Sequence, residues 1–151
     1  MFKHFLAVIG CTLAVATQAQ TAPFGLNALL IGAEQKSCPA GTYDESIEKD
    51  VTLCLVRPAA VVDVPVHRQS IFILDGRIVA LSFELQAADA GGHEAVQRLL
   101  TERYGSPNLL GAPPGEQRWQ RGDVQMRFDT TKGTLKVADI KLMTENARKK
   151  R

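Results

Sequence analysis

The sequence contains few of the residue types that carry catalysis or bind metals. Its 151 residues include three histidines and three cysteines, and aromatic residues make up only 6%. Only His67 and His93 follow the N-terminal segment, and neither lies in a motif that pairs a nucleophile with a base. A zinc site built on a cysteine pair needs two further ligands, and these two histidines are the only good candidates. We therefore expect no catalytic residue, no metal, no cofactor and no enzymatic activity.

Phosphate-binding loops and basic surfaces are also missing. Gly91-Gly92 does not form the G-x-G-x-x-G pattern and does not lie in a βαβ unit. Lys and Arg total 18 against 16 Asp and Glu, and four of the basic residues are the last four, Arg148–Arg151. A nucleic-acid-binding face needs basic residues clustered on a folded surface. We predict no nucleic-acid partner and a basic disordered tail over residues 148–151.

The only long apolar run is N-terminal. A short basic start precedes Phe5–Ala16, and Thr17-Gln18-Ala19 supplies the small residues that a signal peptidase reads. The run is shorter than the roughly 20 apolar residues that span a bilayer. We predict a signal peptide over 1–19, export to a bacterial periplasm and a single domain over 20–147. Cys11 follows a sequence that is similar to a lipoprotein cleavage box, but the apolar run before it is too short for export, so it is read as part of the signal.

Two cysteines, Cys38 and Cys54, remain after the predicted signal peptide. An even number of cysteines in an oxidising compartment indicates a disulfide. A redox pair usually has two intervening residues, and here there are many more. A shared metal site is the other alternative. We favour a structural disulfide, which would stabilise the fold by about 3 kcal/mol through the unfolded state.

Two segments with strand-like alternation of hydrophobic side chains meet at Asp75-Gly76. This dipeptide favours a two-residue type I′ hairpin turn. This turn pairs Ile73 with Ile78 and places two sets of side chains on opposite faces. The first face is predicted to be the core, and the second is predicted to be partly open and to bind a partner. The first set is Phe72, Leu74, Val79, Leu81, Phe83 and Leu85; the second begins with Ile71, Ile73 and Ile78.

A single strong helix is predicted over Glu94–Tyr104. Its apolar residues recur at helical spacing, Gly105 suits a left-handed C-terminal cap, and Pro107 prevents continuation. Asp89 is its candidate N-cap, although Gly91-Gly92 weaken the first turn. A second hairpin follows around Gly122-Asp123, with Trp119 opposite Met126. Alternation then continues to Leu142 and changes phase near Ala138-Asp139, which predicts a bulged strand.

The order of these elements is strands, helix, strands. The sequence Asp50–Arg57 also alternates as a strand, while Ala33–Lys49 is polar and turn-rich. Thr21–Gly32 fits either a short helix or an extended segment. Pro65 predicts an edge position for the valine-rich segment around it. The fold class is therefore expected to be α+β, with one main helix packed on one face of an antiparallel sheet in a two-layer sandwich.

Several of these features occur together in known exported proteins. The Cys38 and Cys54 pair, the Asp75-Gly76 hairpin, the helix end Tyr104-Gly105-Ser106-Pro107 and the following Trp119 resemble a group of small exported proteobacterial proteins. The arrangement is also similar to the helix-plus-antiparallel-sheet fold of the outer-membrane assembly lipoprotein and β-lactamase inhibitory protein families. The resemblance spans about residues 26 to 142. It implies the fold and the compartment, and it carries over no catalytic residue. Unlike the lipoproteins, this chain has no cysteine suited to lipid attachment.

Three functions are compatible with this pattern. The first is a non-enzymatic periplasmic protein-binding domain, such as an inhibitor, an immunity protein or an envelope accessory protein. Its partner would be another periplasmic or outer-membrane protein, bound through Ile71, Ile73 and Ile78 or through the loop Asn108–Gly115. The second is a small-ligand or cell-wall-polymer binder that uses Tyr104 and Trp119, although core packing is the better explanation for both aromatics. The third is a hydrolase whose site is built around one of the histidines.

Overall fold

The computed structural model describes residues 23–48, 50–57, 60–61, 64–86 and 90–149. The predicted signal peptide, the predicted helix N-cap Asp89 and the last two residues lie outside this part of the chain. Nine strands and two helices are present in the described residues. They are β1 Gly25–Leu26, β2 Leu29–Leu30, β3 Thr42–Glu48, β4 Val51–Val56, β5 Val66–Leu74, β6 Arg77–Leu85, α1 Ala90–Tyr104, β7 Glu116–Arg121, β8 Val124–Asp129, β9 Thr134–Asp139 and α2 Ile140–Arg148.

Seven strands form one antiparallel sheet in the order β3-β4-β5-β6-β9-β8-β7. Strands β3 to β6 follow one another as a meander, and so do β7 to β9. Helix α1 connects the two meanders, which join where β6 pairs with β9. Strands β1 and β2 form a separate small hairpin. The predicted α+β class with an antiparallel sheet is confirmed.

The local turn chemistry agrees with the predictions. Asp75 and Gly76 both have positive φ, 50° and 71°, as a type I′ turn requires. Ile73 pairs with Ile78 and Trp119 pairs with Met126, as predicted. Gly105 ends α1 at φ 85°, in the left-handed conformation that glycine adopts at low cost.

One irregularity in the β5–β6 hairpin changes which residues face the core. The register shifts between Phe72 and Ile73, so that Phe72 pairs with Ala80 instead of Val79. A bulge of this kind adds one residue to one strand and reverses the alternation beyond it. Ile71 therefore shares a face with Leu81, which is its register partner.

The core lies on that face of the sheet. Helix α1 contributes Val96, Leu100 and Tyr104 to it, and the N-terminal hairpin contributes Phe24 and Leu26. The largest fully buried side chains of the sheet are Phe83, Phe128, Ile71, Ile78, Leu81, Met126, Leu135, Val79 and Val137.

The prediction that Ile71, Ile73 and Ile78 line an open sheet face is wrong. All three are buried, with at most 4% of their surface exposed. The predicted alternation runs unbroken through the hairpin, whereas the extra residue Val79 in β6 puts the β5 isoleucines on the same side as Leu81 and Phe83. The predicted core position of Phe72 is wrong for the same reason, because Phe72 is only half-buried.

The C-terminal segment is helical, so the predictions of a single main helix and of a bulged strand through Leu142 are both wrong. The Asp139 side chain accepts a hydrogen bond from the Leu142 backbone N–H at 2.9 Å and caps the N-terminus of α2. Arg148, where the basic tail was predicted to begin, is the last residue of this helix, and Lys149 caps its C-terminus.

Strand β3 was not predicted, because its sequence TYDESIE has no buried alternation. Of the valine-rich segment before β5, the structure describes only part, in which Val61 and Val64 form an isolated bridge. Within the described residues, neither helix has the length and apolar character needed to cross a membrane.

Candidate functional site

The sheet face opposite the core is here called the open face. Its side chains follow from the register of the strands. Leu53 of β4, Phe72 of β5, Ala80 of β6 and Ala138 of β9 occupy one row across the sheet. The row beside it contains Leu55, Ser70, Ser82 and Lys136.

Helix α2 lies against this face and forms a groove with it. Met143, Asn146 and Ala147 of α2 line one concavity of about 210 Å³ together with Leu53 and Phe72. A second concavity of about 430 Å³ continues over the β4–β6 strands and the second half of β9. The two share Leu53, Phe72 and Met143. We call this continuous surface the open-face groove.

The floor of the groove is apolar, and its borders are charged. Ser46 and Glu48 of β3 border the smaller concavity. At the far end, Arg68 and Glu84 approach each other to 3.8 Å, with both side chains about half exposed. An exposed pair of this kind adds well under about 1 kcal/mol to stability. These charges therefore contribute little to the fold and remain accessible to another molecule.

Helix α2 is only lightly attached to the sheet. None of its side chains is fully buried. Ile140 and Leu142 both remain more than one third exposed. A helix of nine residues has little intrinsic stability in water. Its position therefore depends on the Asp139 cap and on the partial contact of Met143 with the groove.

The predicted disulfide between Cys38 and Cys54 is confirmed. The Cα atoms are 5.6 Å apart, and the two cysteines are separated by 16 positions in sequence. Cys54 is completely buried in the core and pairs in register with Ile71. The bond ties the segment before β3 to the central part of the sheet. A buried intramolecular disulfide indicates an oxidising, exported compartment.

The two aromatics considered as ligand contacts are core residues. Tyr104 donates its hydroxyl hydrogen to the Gly25 carbonyl oxygen at 2.6 Å, and its ring meets Phe24 edge-on with centroids 5.0 Å apart. Trp119 donates from Nε1 to the Gly105 carbonyl oxygen at 2.7 Å. Both side chains are buried. Core packing, the favoured explanation, is therefore what the structure shows for both.

The histidines are not brought together with acids. His93 Nδ1 lies 2.7 Å from the Thr130 carbonyl oxygen, and its ring packs edge-on against Phe128. His67 is exposed on β5. Within the described ranges, neither ring lies within ion-pair distance of a carboxylate, and no three metal-ligating residues are grouped.

One carboxylate has a perturbed pKa, and its environment explains the shift. Asp129 Oδ1 accepts hydrogen bonds from the backbone N–H groups of Lys132 and Thr131, each at 3.0 Å. The hydrogen bond from the Lys132 backbone has the largest effect on the pKa of Asp129 and, with the bond from Thr131, holds it below its usual value. The nearby Lys132 ammonium group lowers this pKa further. Asp129 thus remains ionised and closes the turn into β9.

Sequence patterning missed the residues of the groove. Leu53 and Leu55 were recognised as one face of a strand, but that face was not identified as the open one. Met143 was overlooked because α2 was read as a strand. The signal that was available is Asp139, whose spacing to Leu142 is that of a helix N-cap.

No known protein family, no curated protein and no solved structure matches this chain. The resemblance to small exported proteobacterial proteins and to the lipoprotein and inhibitor folds therefore stays a prediction.

Proposed function

We propose that this protein is a non-enzymatic, periplasmic protein-binding domain that holds its partner in the open-face groove. The observation that carries the proposal is the row Leu53, Phe72 and Ala80, which is apolar and which, among the described residues, α2 covers only in part. The opposite face of the same strands is closed by a continuous core.

Apolar surface that stays in contact with water raises the free energy of the protein, and a partner that covers this surface lowers it. Each square ångström of apolar surface taken out of water contributes about 25 cal/mol. Contiguous apolar patches on soluble proteins mark contact sites more often than scattered apolar residues do. The half-buried side chains of Leu53, Leu55 and Phe72 are therefore the natural centre of an interface, with the polar groups of Ser46, Glu48 and Arg68 at its rim.

The shape of the groove favours a protein over a small molecule. A small-molecule site encloses most of its ligand. Here two open concavities, of about 210 Å³ and 430 Å³, adjoin each other along the sheet and do not form one enclosed cleft. An elongated surface of this kind fits a segment of a periplasmic or outer-membrane protein, as expected for an inhibitor, an immunity protein or an envelope accessory protein.

The second candidate is a small apolar ligand, and one observation favours it. The concavity beside α2 is lined mainly by apolar groups, and both Met143 and Phe72 belong to its lining. An acyl chain or an aromatic group has the chemistry that this lining would accept. This version of the ligand hypothesis does not use Tyr104 or Trp119.

Photocrosslinking in living cells tests the proposal. We would replace Phe72 with benzoylphenylalanine, which is similar in shape, and look for a covalent adduct of discrete mass in the periplasm. The matched control places the same group at Leu110, which is 88% exposed in the loop Asn108–Gly115. We expect an adduct with one protein from Phe72 and none from Leu110, and we expect Leu53→Asp to abolish it.

Other outcomes have definite meanings. An adduct from Leu110 alone would move the interface to the loop and overturn the groove proposal. A lipid or another small molecule attached at Phe72 would establish the second candidate. Circular dichroism and an intact Cys38–Cys54 bond verify that each variant is folded.

A further inference from the structure

The free edge of the sheet at β3 is a second surface with the properties of a binding site. Strand β3 is the outermost strand on its side. The opposite edge, β7, is partly covered, because the Asn108 backbone N–H donates to the Arg118 carbonyl oxygen at 2.7 Å. Along the outer side of β3, no strand is paired in the described part of the chain.

The residues of β3 after Thr42 are exposed to solvent. Six of its seven residues are exposed, and the exposed fractions of Tyr43 and Ile47 reach 58% and 72%. In an antiparallel sheet, every second residue of an edge strand directs its N–H and C=O groups away from its neighbour. Such a row of unpaired groups is a template for another strand. Two exposed apolar side chains on it add surface that a partner would bury.

The charge of β3 selects the partner. Asp44, Glu45 and Glu48 all lie on this strand, and none forms an ion pair with another described residue. The register places Asp44 and Glu48 on the open face, opposite Leu55 and Val51, and Glu45 on the core side, opposite Cys54. An incoming strand therefore meets negative charge on both of its faces.

A second copy of the same chain does not fit this edge. Pairing two β3 strands would bring Asp44, Glu45 and Glu48 of one copy next to the same acids of the other. Like charges on adjacent strands destabilise the pairing, whereas opposite charges stabilise it. The complementary partner is an extended segment rich in Lys and Arg, with apolar side chains between them for Tyr43 and Ile47.

The edge and the groove are continuous. Ser46 and Glu48 belong to β3 and also line the concavity beside α2. A strand added to β3 extends the floor of the open-face groove by one strand. A single partner could then contact both surfaces, with its backbone on the edge and an adjacent side chain in the groove.

We infer that β3 accepts a basic, extended segment of the partner protein by β-strand addition. This inference rests on the proposed function only in that the protein binds another protein; it does not require the groove to be the main contact. Main-chain hydrogen bonds supply the affinity in this mode, and the side chains supply the selectivity.

The acids of β3 have one competing explanation. Charged side chains on an edge strand also prevent edge-to-edge aggregation, without any partner. That explanation predicts that basic extended peptides bind no better than their controls, and that neutralising the acids leads to self-association alone.

The experiment uses the oxidised protein and a defined probe. The probe is the capped peptide Lys-Val-Lys-Val-Thr-Val-Lys-Val, and its control has proline in place of the threonine, because proline interrupts the hydrogen-bond ladder. Amide hydrogen exchange is followed residue by residue. We expect exchange to slow at alternate β3 residues with the probe and to remain unchanged with the proline peptide.

Charge reversal provides the matched variants. The double variant Glu45→Lys/Glu48→Lys should bind the probe about tenfold more weakly or worse, as expected for the loss of complementary charges. The control Glu94→Lys/Glu102→Lys changes two exposed acids on α1 by the same amount and should bind as the unmodified protein does. Equal weakening by both pairs would reveal non-specific charge attraction and overturn the inference.

The outcomes also separate this inference from the proposed function. Slowed exchange in β3 together with no adduct at Phe72 would support strand addition at β3 and overturn binding in the open-face groove. An adduct at Phe72 with no slowing in β3 would retain the groove and overturn strand addition. Failure of the probe to bind at all would likewise overturn strand addition.

Discussion

The two faces of the sheet are built from the same strands, yet they differ in how they are covered. On the core face, α1 and the N-terminal hairpin contribute to one continuous cluster with residues such as Phe83 and Leu135 fully buried. On the open face, the neighbouring residues Leu53 and Phe72 are only half-buried, and the light contact of α2 covers part of one end.

The difference separates two roles of the sheet, stability and the proposed binding of a partner. Burial of the core face supplies stability, because the apolar side chains of its core cluster are removed from water. The open face contributes less to stability and leaves apolar surface available to a partner. The boundary between the two functions falls between adjacent residues, Ile71 and Phe72, at the bulge in the β5–β6 hairpin.

The assignment of the two faces is tested most strongly by placing the same charge at Ile71 and at Phe72. Ile71→Asp puts an unpaired carboxylate into the core and should cost at least about 4 kcal/mol, enough to unfold a marginally stable domain. Phe72→Asp should cost about 1 kcal/mol, because the side chain reaches solvent. Urea denaturation followed by circular dichroism measures both. Similar losses for the two variants would contradict the assignment of the faces.

Removing the disulfide measures how much the link between the segment before β3 and the core stabilises the protein. The bond joins the segment before β3 to Cys54 in the core face. Cys38→Ala/Cys54→Ala should lower the free energy of unfolding by about 3 kcal/mol, as expected for a loop of this size. A reducing agent should lower the stability of the unmodified protein similarly and leave the double variant unchanged. An effect of reduction on the variant would indicate a different cause.

Substitution of Asp129, at the polar end of the open face, is expected to have the smallest effect on the free energy of unfolding. Asp129→Asn keeps the size of the side chain but removes the charge, and it should cost well under about 1 kcal/mol at neutral pH because solvent screens the charge. Because the folded pKa lies below the unfolded value, this stabilisation is complete above the unfolded pKa and is lost as the pH falls through the folded pKa. Unfolding curves between neutral pH and about pH 3, which lies below the unfolded pKa, should therefore converge for the two proteins. A constant difference across this range would exclude the charge as its cause.

Local chemistry made part of this fold predictable. Asp75-Gly76 and Gly105 require backbone conformations that few other residues adopt, so the sequence alone located the hairpin and the end of α1. The Cys38–Cys54 bond followed from the count of cysteines and the predicted compartment. The pairing of Trp119 with Met126 followed from the short turn between their strands.

The open-face groove was not predictable in the same way. Both alternating sets in β5 are apolar, so hydrophobicity could not distinguish Ile71 and Ile73 from Phe72, and only the tertiary register shows the bulge. Strand β3 has no buried side and hence no amphipathic pattern. Helix α2 is short enough that Ile140 and Leu142 also fit a strand, and the Asp139 cap was the only local indication against it.

The junction between the two meanders has a further consequence for when the protein can bind. The floor of the groove comes from β4 and β5, in the first meander, while Met143 follows β9, in the second. Contacts within each meander are local in sequence and should form early, whereas the pairing of Ala80 with Ala138 must wait for α1 and the β7–β8 hairpin to be placed. The groove is therefore complete only when folding is complete. A partner that recognises it would select finished molecules from those still folding after export.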